Sequence, residues 1–105
     1  MTAERIFADL AAELLPEPGV EEGTGFGTNP GLRTGGKIFA MAVRGELVYK
    51  LPRERCEQLA ATGRAHHFVV GGREMREWIA FDALDGGDDF LVLAREARAF
   101  VASAA

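Results

Sequence analysis

A single cysteine, Cys56, in a chain of 105 residues leaves no internal disulfide and no cysteine-built zinc site. Cys56 sits in the helix-favouring stretch "RERCEQLAA", where a thiol reads as buried and inert. A nucleophilic cysteine needs a histidine beside it, and nothing in the sequence brings His66 or His67, the only two histidines, to Cys56. Long apolar runs are also missing. The longest uncharged one, Ile38 to Val43, is far too short to cross a bilayer, so no membrane association is expected. The opening "MTAERIFADLAAELL" carries Glu4, Arg5, Asp9 and Glu13 where a secretory signal needs an apolar core, so the expected location is the cytoplasm. Without repeat, low-complexity tail or linker, residues 1–105 are expected to form a single domain.

What is present is ordinary for a globular chain: 48% apolar residues, 27% charged residues and a net charge of −4. The charge is unevenly spread. Residues 1–29 hold one arginine against six acids, residues 30–78 nine basic residues against five acids, and residues 79–105 two arginines against five acids. A basic middle between acidic ends hints at a surface that faces an anion, although a solvated sheet edged by charged loops produces the same pattern.

Apolar periodicity marks a first helix over Ala3 to Leu15, with Ile6, Phe7, Leu10, Ala11 and Leu14 on one side, Thr2 as cap and Pro16 as stop. Val20 to Phe26 reads as a short strand, then a turn at Thr28-Asn29-Pro30-Gly31 and a break at Gly35-Gly36. "KIFAMAVRGELVYKL" reads as a hairpin: Ile38 to Val43, a tight turn at Arg44-Gly45, and Glu46 to Leu51. Both alternating sets of the first strand are apolar, so it is expected near the sheet centre or under a partner subunit. In the returning strand Leu47, Tyr49 and Leu51 face inward. A helix follows Pro52 and closes at Gly63; strands are expected at His66 to Val70 and Glu77 to Phe81. After a loop at Asp85-Gly86-Gly87, a last helix starts near Asp88 or Asp89 with Phe90, Leu93, Ala94, Ala97 and Val101 as its stripe. The expected fold class is α+β: an antiparallel meander of about five strands, α-β-β-β-α-β-β-α, with N- and C-terminal helices on one face.

Six glycines in the sixteen residues "EEGTGFGTNPGLRTGG" raise the question of a phosphate cradle. Gly31 to Lys37 fails as a phosphate loop because Ile38 stands where a magnesium-binding hydroxyl belongs. A dinucleotide fingerprint fails at Thr28 and at Pro30, where a third glycine is needed. An apolar strand follows instead of the helix that both motifs open. Gly27, Gly31, Gly35 and Gly36 read as bends, and no cofactor site is expected.

The adjacent pair His66-His67 is not expected to bind metal, because neighbours on a strand point to opposite faces. The acids Glu4, Asp9, Glu13, Glu17, Glu21 and Glu22 are expected to be a solvated face, with cation gathering as the alternative. Trp78 is expected in the core, or else stacked on a ligand beside Arg73 and Arg76. No nucleophile–base pair or metal constellation points to an enzyme.

Taken together, "GVEEGTGFG", "GGKIFAMAVRGELVYKLPRERCEQLAATG", "GREMREWIAF" and the closing "EARAFV" resemble the bacterial TfoX N-terminal/YjbR-like family over about residues 18 to 101. The resemblance implies a fold like that of CyaY, the bacterial frataxin, and a non-catalytic regulatory or DNA-binding role. The chain departs from full TfoX-type regulators in its acidic balance and in showing no second, C-terminal domain. If nucleic acid is the partner, Arg33, Lys37, Arg44, Arg64, Arg73 and Arg76 are the expected phosphate contacts. The alternative is a protein–protein or homodimer module that uses the outer face of the Ile38 to Val43 strand. A third reading, frataxin-like iron handling, rests on the acidic first helix.

Overall fold

The computed structural model describes residues 2–25, 27–82, 84 and 88–103. It opens with helix α1 (Ala3–Leu14), whose first turn is capped by Thr2: the hydroxyl accepts from the Arg5 N–H at 3.1 Å. Ile6, Phe7, Leu10 and Leu14 form the buried stripe that the 3.6-residue period foretells. Four strands come next: β1 (Val20–Thr24), β2 (Pro30–Thr34), β3 (Lys37–Val43) and β4 (Glu46–Lys50). Helix α2 (Arg53–Ala61) leads to β5 (Ala65–Val70) and β6 (Arg73–Phe81), and α3 (Phe90–Ser103) closes the fold. Asp89 caps α3, its carboxylate accepting from the Val92 N–H at 3.1 Å.

The fold is α+β as expected, but the sheet has six strands rather than five. The additional one is β2. Its "Pro30-Gly31" start reads as a turn, yet a proline is tolerated at the first position of a strand. Gly31 is no bend either. It faces β1 and β3 where an added Cβ would lie 3.0 Å from Ile38 Cδ1, so only glycine lets these strands close up. β1 ends at Thr24 rather than at Phe26, and Phe26 lies outside the described residues, as does the Asp85-Gly86-Gly87 loop. β6 begins at Arg73, four residues before the expected Glu77.

The sheet order is β1-β2-β3-β4-β6-β5, all neighbours antiparallel. The first four strands form a meander. The chain then crosses through α2 to the far edge and returns as β6 between β4 and β5, so the meander is not continuous. Arg44-Gly45 makes the β3–β4 turn with both residues at positive φ, 51° and 80°. Arg44 is the non-glycine among them, held in a left-handed conformation that costs a side chain roughly 1 kcal/mol.

All three helices lie on one face. There Leu14, Phe39, Tyr49, Leu51, Cys56, Phe81 and Ala94 are fully excluded from water. A bulge at β3, where Leu32 faces Ala40 and Arg33 faces Ile38, turns both Phe39 and Ala40 toward the helices. The Tyr49 hydroxyl donates to the Phe90 carbonyl at 2.8 Å and so ties β4 to the start of α3. Burial pushes the Tyr49 phenol well above its usual range, with Asp89 and Asp88 adding to the effect. Cys56 is buried with its thiol directed at the Leu51 carbonyl, and burial pushes that thiol up to about 11.

Candidate functional site

Among the described residues, the opposite face carries no helix. Its centre is nevertheless apolar and closed: Met41, Val43, Val48, Phe68 and Ala80 form a second cluster, rimmed by the partly buried Ile38, Val70, Met75 and Trp78. The Gly25 backbone lies directly over Met41, where an added Cβ would meet the side chain.

A second irregularity shapes this face. β5 and β6 pair as His67 with Ile79 and then as Phe68 with Met75, so Arg76, Glu77 and Trp78 bulge out of that ladder. They turn to β4 instead: Trp78 faces Lys50, and the Glu77 carbonyl accepts from the Leu51 N–H at 3.0 Å. The bulge therefore delivers Trp78 to the rim, half-buried rather than in the core as expected. The Lys50 ammonium lies 5.3 Å from the centre of its ring and 3.3 Å from Glu77. Trp78 and Ile38 border two adjoining hollows. One, of about 460 Å³, reaches Lys37, Lys50 and Phe100 of α3; the other, of about 220 Å³, reaches Thr24, Gly25 and Met41.

At the other end of β3 the Arg44 guanidinium lies 5.8 Å from the centre of the Phe68 ring and donates to the Val69 carbonyl at 3.5 Å. Arg33 stands opposite Ile38 on this face, 3.7 Å from the Glu21 carboxylate. Arg73 stands opposite Val70. Of the six arginines and lysines expected to meet phosphate, the structure thus brings Arg33, Arg44 and Arg73 to the helix-free face. It does not bring Lys37 or Arg64 there. Lys37 borders the larger hollow on the α3 side, Arg64 is held by Asp88 at 2.9 Å beside the start of α3, and Arg76 is exposed on the bulge. Lys37, Arg44, Arg73 and Arg76 have no carboxylate within 4.0 Å among the described residues.

One corner of the same face was not foreseen. Glu46 at the start of β4, His66 on β5 and Asp82 just after β6 place one ligand-type atom each within 4.8 Å of one another. His66 Nε2 meets Glu46 Oε2 at 2.5 Å, and Nδ1 meets the His67 carbonyl at 3.0 Å. Partial burial pulls the His66 pKa down, but the Glu46 hydrogen bond, the His67 carbonyl and the charges of Glu46 and Asp82 outweigh it, so the ring is held more basic than usual. His67, opposite Ile79, points to the helix side, as alternation requires.

Among the described residues, the acids of the first helix and of the segment after it form no cluster of three that could hold a metal ion. Glu17 is engaged by Arg95 and Arg98, Asp9 pairs with Arg5, and Glu21 with Arg33. What sequence missed at this face comes from register. Lys50 with Trp78, and Glu46 with His66 and Asp82, meet only through strand pairings across long separations. The one available signal was that Glu46, Val48 and Lys50 share a strand face. Compared with protein-family models, with curated proteins and with solved structures, the chain matches none. Among the described residues, no helix is long and apolar enough to cross a membrane.

Proposed function

We propose that the chain is a small non-catalytic binding module of the TfoX N-terminal-like kind that takes nucleic acid on the helix-free face of its sheet. The observation that carries this reading is the pair of cations seated over aromatic rings there, Arg44 on Phe68 and Lys50 on Trp78. Arg33 and Arg73 extend the positive charge along the same face. Such a face offers ammonium and guanidinium groups to phosphates, and the partly exposed Trp78 ring to an unstacked base, without reading sequence. The hollows beside Trp78 have room for a planar base. Single strands are therefore preferred to duplex.

Fluorescence anisotropy with a labelled single-stranded oligonucleotide tests this. Four cations contacting phosphate give a log–log salt slope of about −3, a loss of roughly 50-fold in affinity between 50 and 200 mM salt. No binding at low salt to single strand or duplex ends the proposal.

A second reading, self-association through this face, is favoured by the apolar rim of Ile38, Val70, Met75 and Trp78 around an already buried centre. Light scattering at high concentration separates the two: a concentration-dependent dimer lost in Trp78→Glu supports it, and a strict monomer removes it.

A further inference from the structure

We propose that Glu46, His66 and Asp82 form a site for a first-row divalent transition metal, on the helix-free face and apart from the cations invoked above. Three adjacent strands build it. Leu47 pairs with Phe81 across β4 and β6, and Ala80 pairs with His66 across β6 and β5. Glu46 and Asp82 are the next residues beyond the Leu47–Phe81 pair and so stand opposite one another, while His66 shares the face of Ala80 and of Asp82 two residues on, so all three side chains stand on one face. Their ligand atoms already lie within 4.8 Å of one another. Bonds of about 2.0–2.2 Å from a central ion to imidazole nitrogen and carboxylate oxygen place such ligands roughly 3–4 Å apart, a closure that side-chain rotation supplies.

The histidine is already oriented for this task. Its Nδ1 faces the His67 carbonyl at 3.0 Å, an acceptor only, so Nδ1–H donates there and Nε2 is turned toward the carboxylates; the proton that Nε2 shares with Glu46 is released to solvent when the ion takes its place. A backbone carbonyl holding the far ring nitrogen is the usual support of a metal-ligating histidine. One nitrogen and two carboxylate oxygens suit zinc, manganese, iron or cobalt in the divalent state. The set lacks the soft sulfur that Cu(I) favours and the six or more oxygens that calcium requires. The two carboxylates neutralise the ion, and three protein ligands leave coordination positions open to water or to a further ligand. His66 and Asp82 are exposed, so the ion has direct access. The His67 side chain, one residue away but on the other face, takes no part.

The test is calorimetry of tag-free, chelator-treated protein with Zn²⁺, alongside the visible spectrum on adding Co²⁺. The expected result is one ion per chain, a Co²⁺ spectrum with d–d bands of a nitrogen- and oxygen-ligated site, and a Zn²⁺-dependent rise in Tm. His66→Ala and Glu46→Gln lower affinity about tenfold or more, while His67→Ala keeps the wild-type value. Circular dichroism establishes that each variant is folded before it is titrated. The proposal is overturned by the absence of both heat and Tm shift in the wild type. It is equally overturned if His66→Ala keeps the wild-type affinity or if His67→Ala weakens binding to the same extent as His66→Ala.

Discussion

The two faces of this sheet bury comparable centres and finish them differently. On the helix-covered face the chain supplies its own lid, and Phe39, Tyr49, Leu51 and Phe81 are excluded from water by apolar contacts and one tyrosine–carbonyl hydrogen bond. On the other face Met41, Val48 and Ala80 are equally dry, but the rim is made of Arg44, Lys50, Glu46, His66 and a half-buried Trp78. Charged stems laid over rings cover apolar surface while their heads stay in water. The covered face is therefore closed by helices and the open face by a charged and aromatic rim, which on the function proposed above meets a charged partner.

Substitutions that act on one face and spare the other break or sharpen this contrast. Phe39→Ala, on the covered face, is expected to cost about 3–5 kcal/mol in urea unfolding, with the midpoint falling accordingly. Tyr49→Phe removes the buried hydrogen bond that ties β4 to the Phe90 carbonyl and is expected to cost about 1–1.5 kcal/mol by the same measurement. Trp78→Ala, at the open rim, is expected to cost only about 1 kcal/mol of stability, because part of its surface is already wet. It should nonetheless weaken single-strand binding about tenfold, the loss of one stacked base. The smallest stability effect is expected for Arg44→Asn. Relief of the left-handed turn and loss of the Phe68 contact are each worth about 1 kcal/mol, and they offset one another. Thermal unfolding should hardly change, whereas the salt slope of binding should shrink by about 1. A large stability loss in Trp78→Ala, or none in Phe39→Ala, would erase the distinction between the faces.

The covered face was legible because its signals are local. The stripe of α1, the Thr2 cap, the hairpin around Arg44-Gly45 and the inward set Leu47, Tyr49 and Leu51 each follow from spacing within one or two turns of chain. β2 was hidden because Pro30-Gly31 carries a turn signal that the strand overrides, with proline at its first position and glycine at a close approach of strands. The open face was legible least. Trp78 reads as core from its Ile79 neighbour, and only a bulge that no pattern announces turns it to Lys50. The charge census did find an excess of cations in the middle segment. It did not reveal that Arg33, Arg44 and Arg73 would share a face while Lys37 and Arg64 would not, since that depends on strand order and on the bulges at Phe39 and at Trp78.

The direct test of the central claim is an NMR titration of ¹⁵N-labelled protein with a single-stranded oligonucleotide at low salt. Perturbed amides, and the Trp78 indole N–H with them, should cluster around Arg33, Arg44, Lys50 and Arg73, with α3 moving only beside the hollow at Phe100, and fade as salt is raised, leaving α1 and α2 unmoved. Perturbations that map to α1 or α2, or a spectrum that the oligonucleotide leaves unchanged, would contradict it.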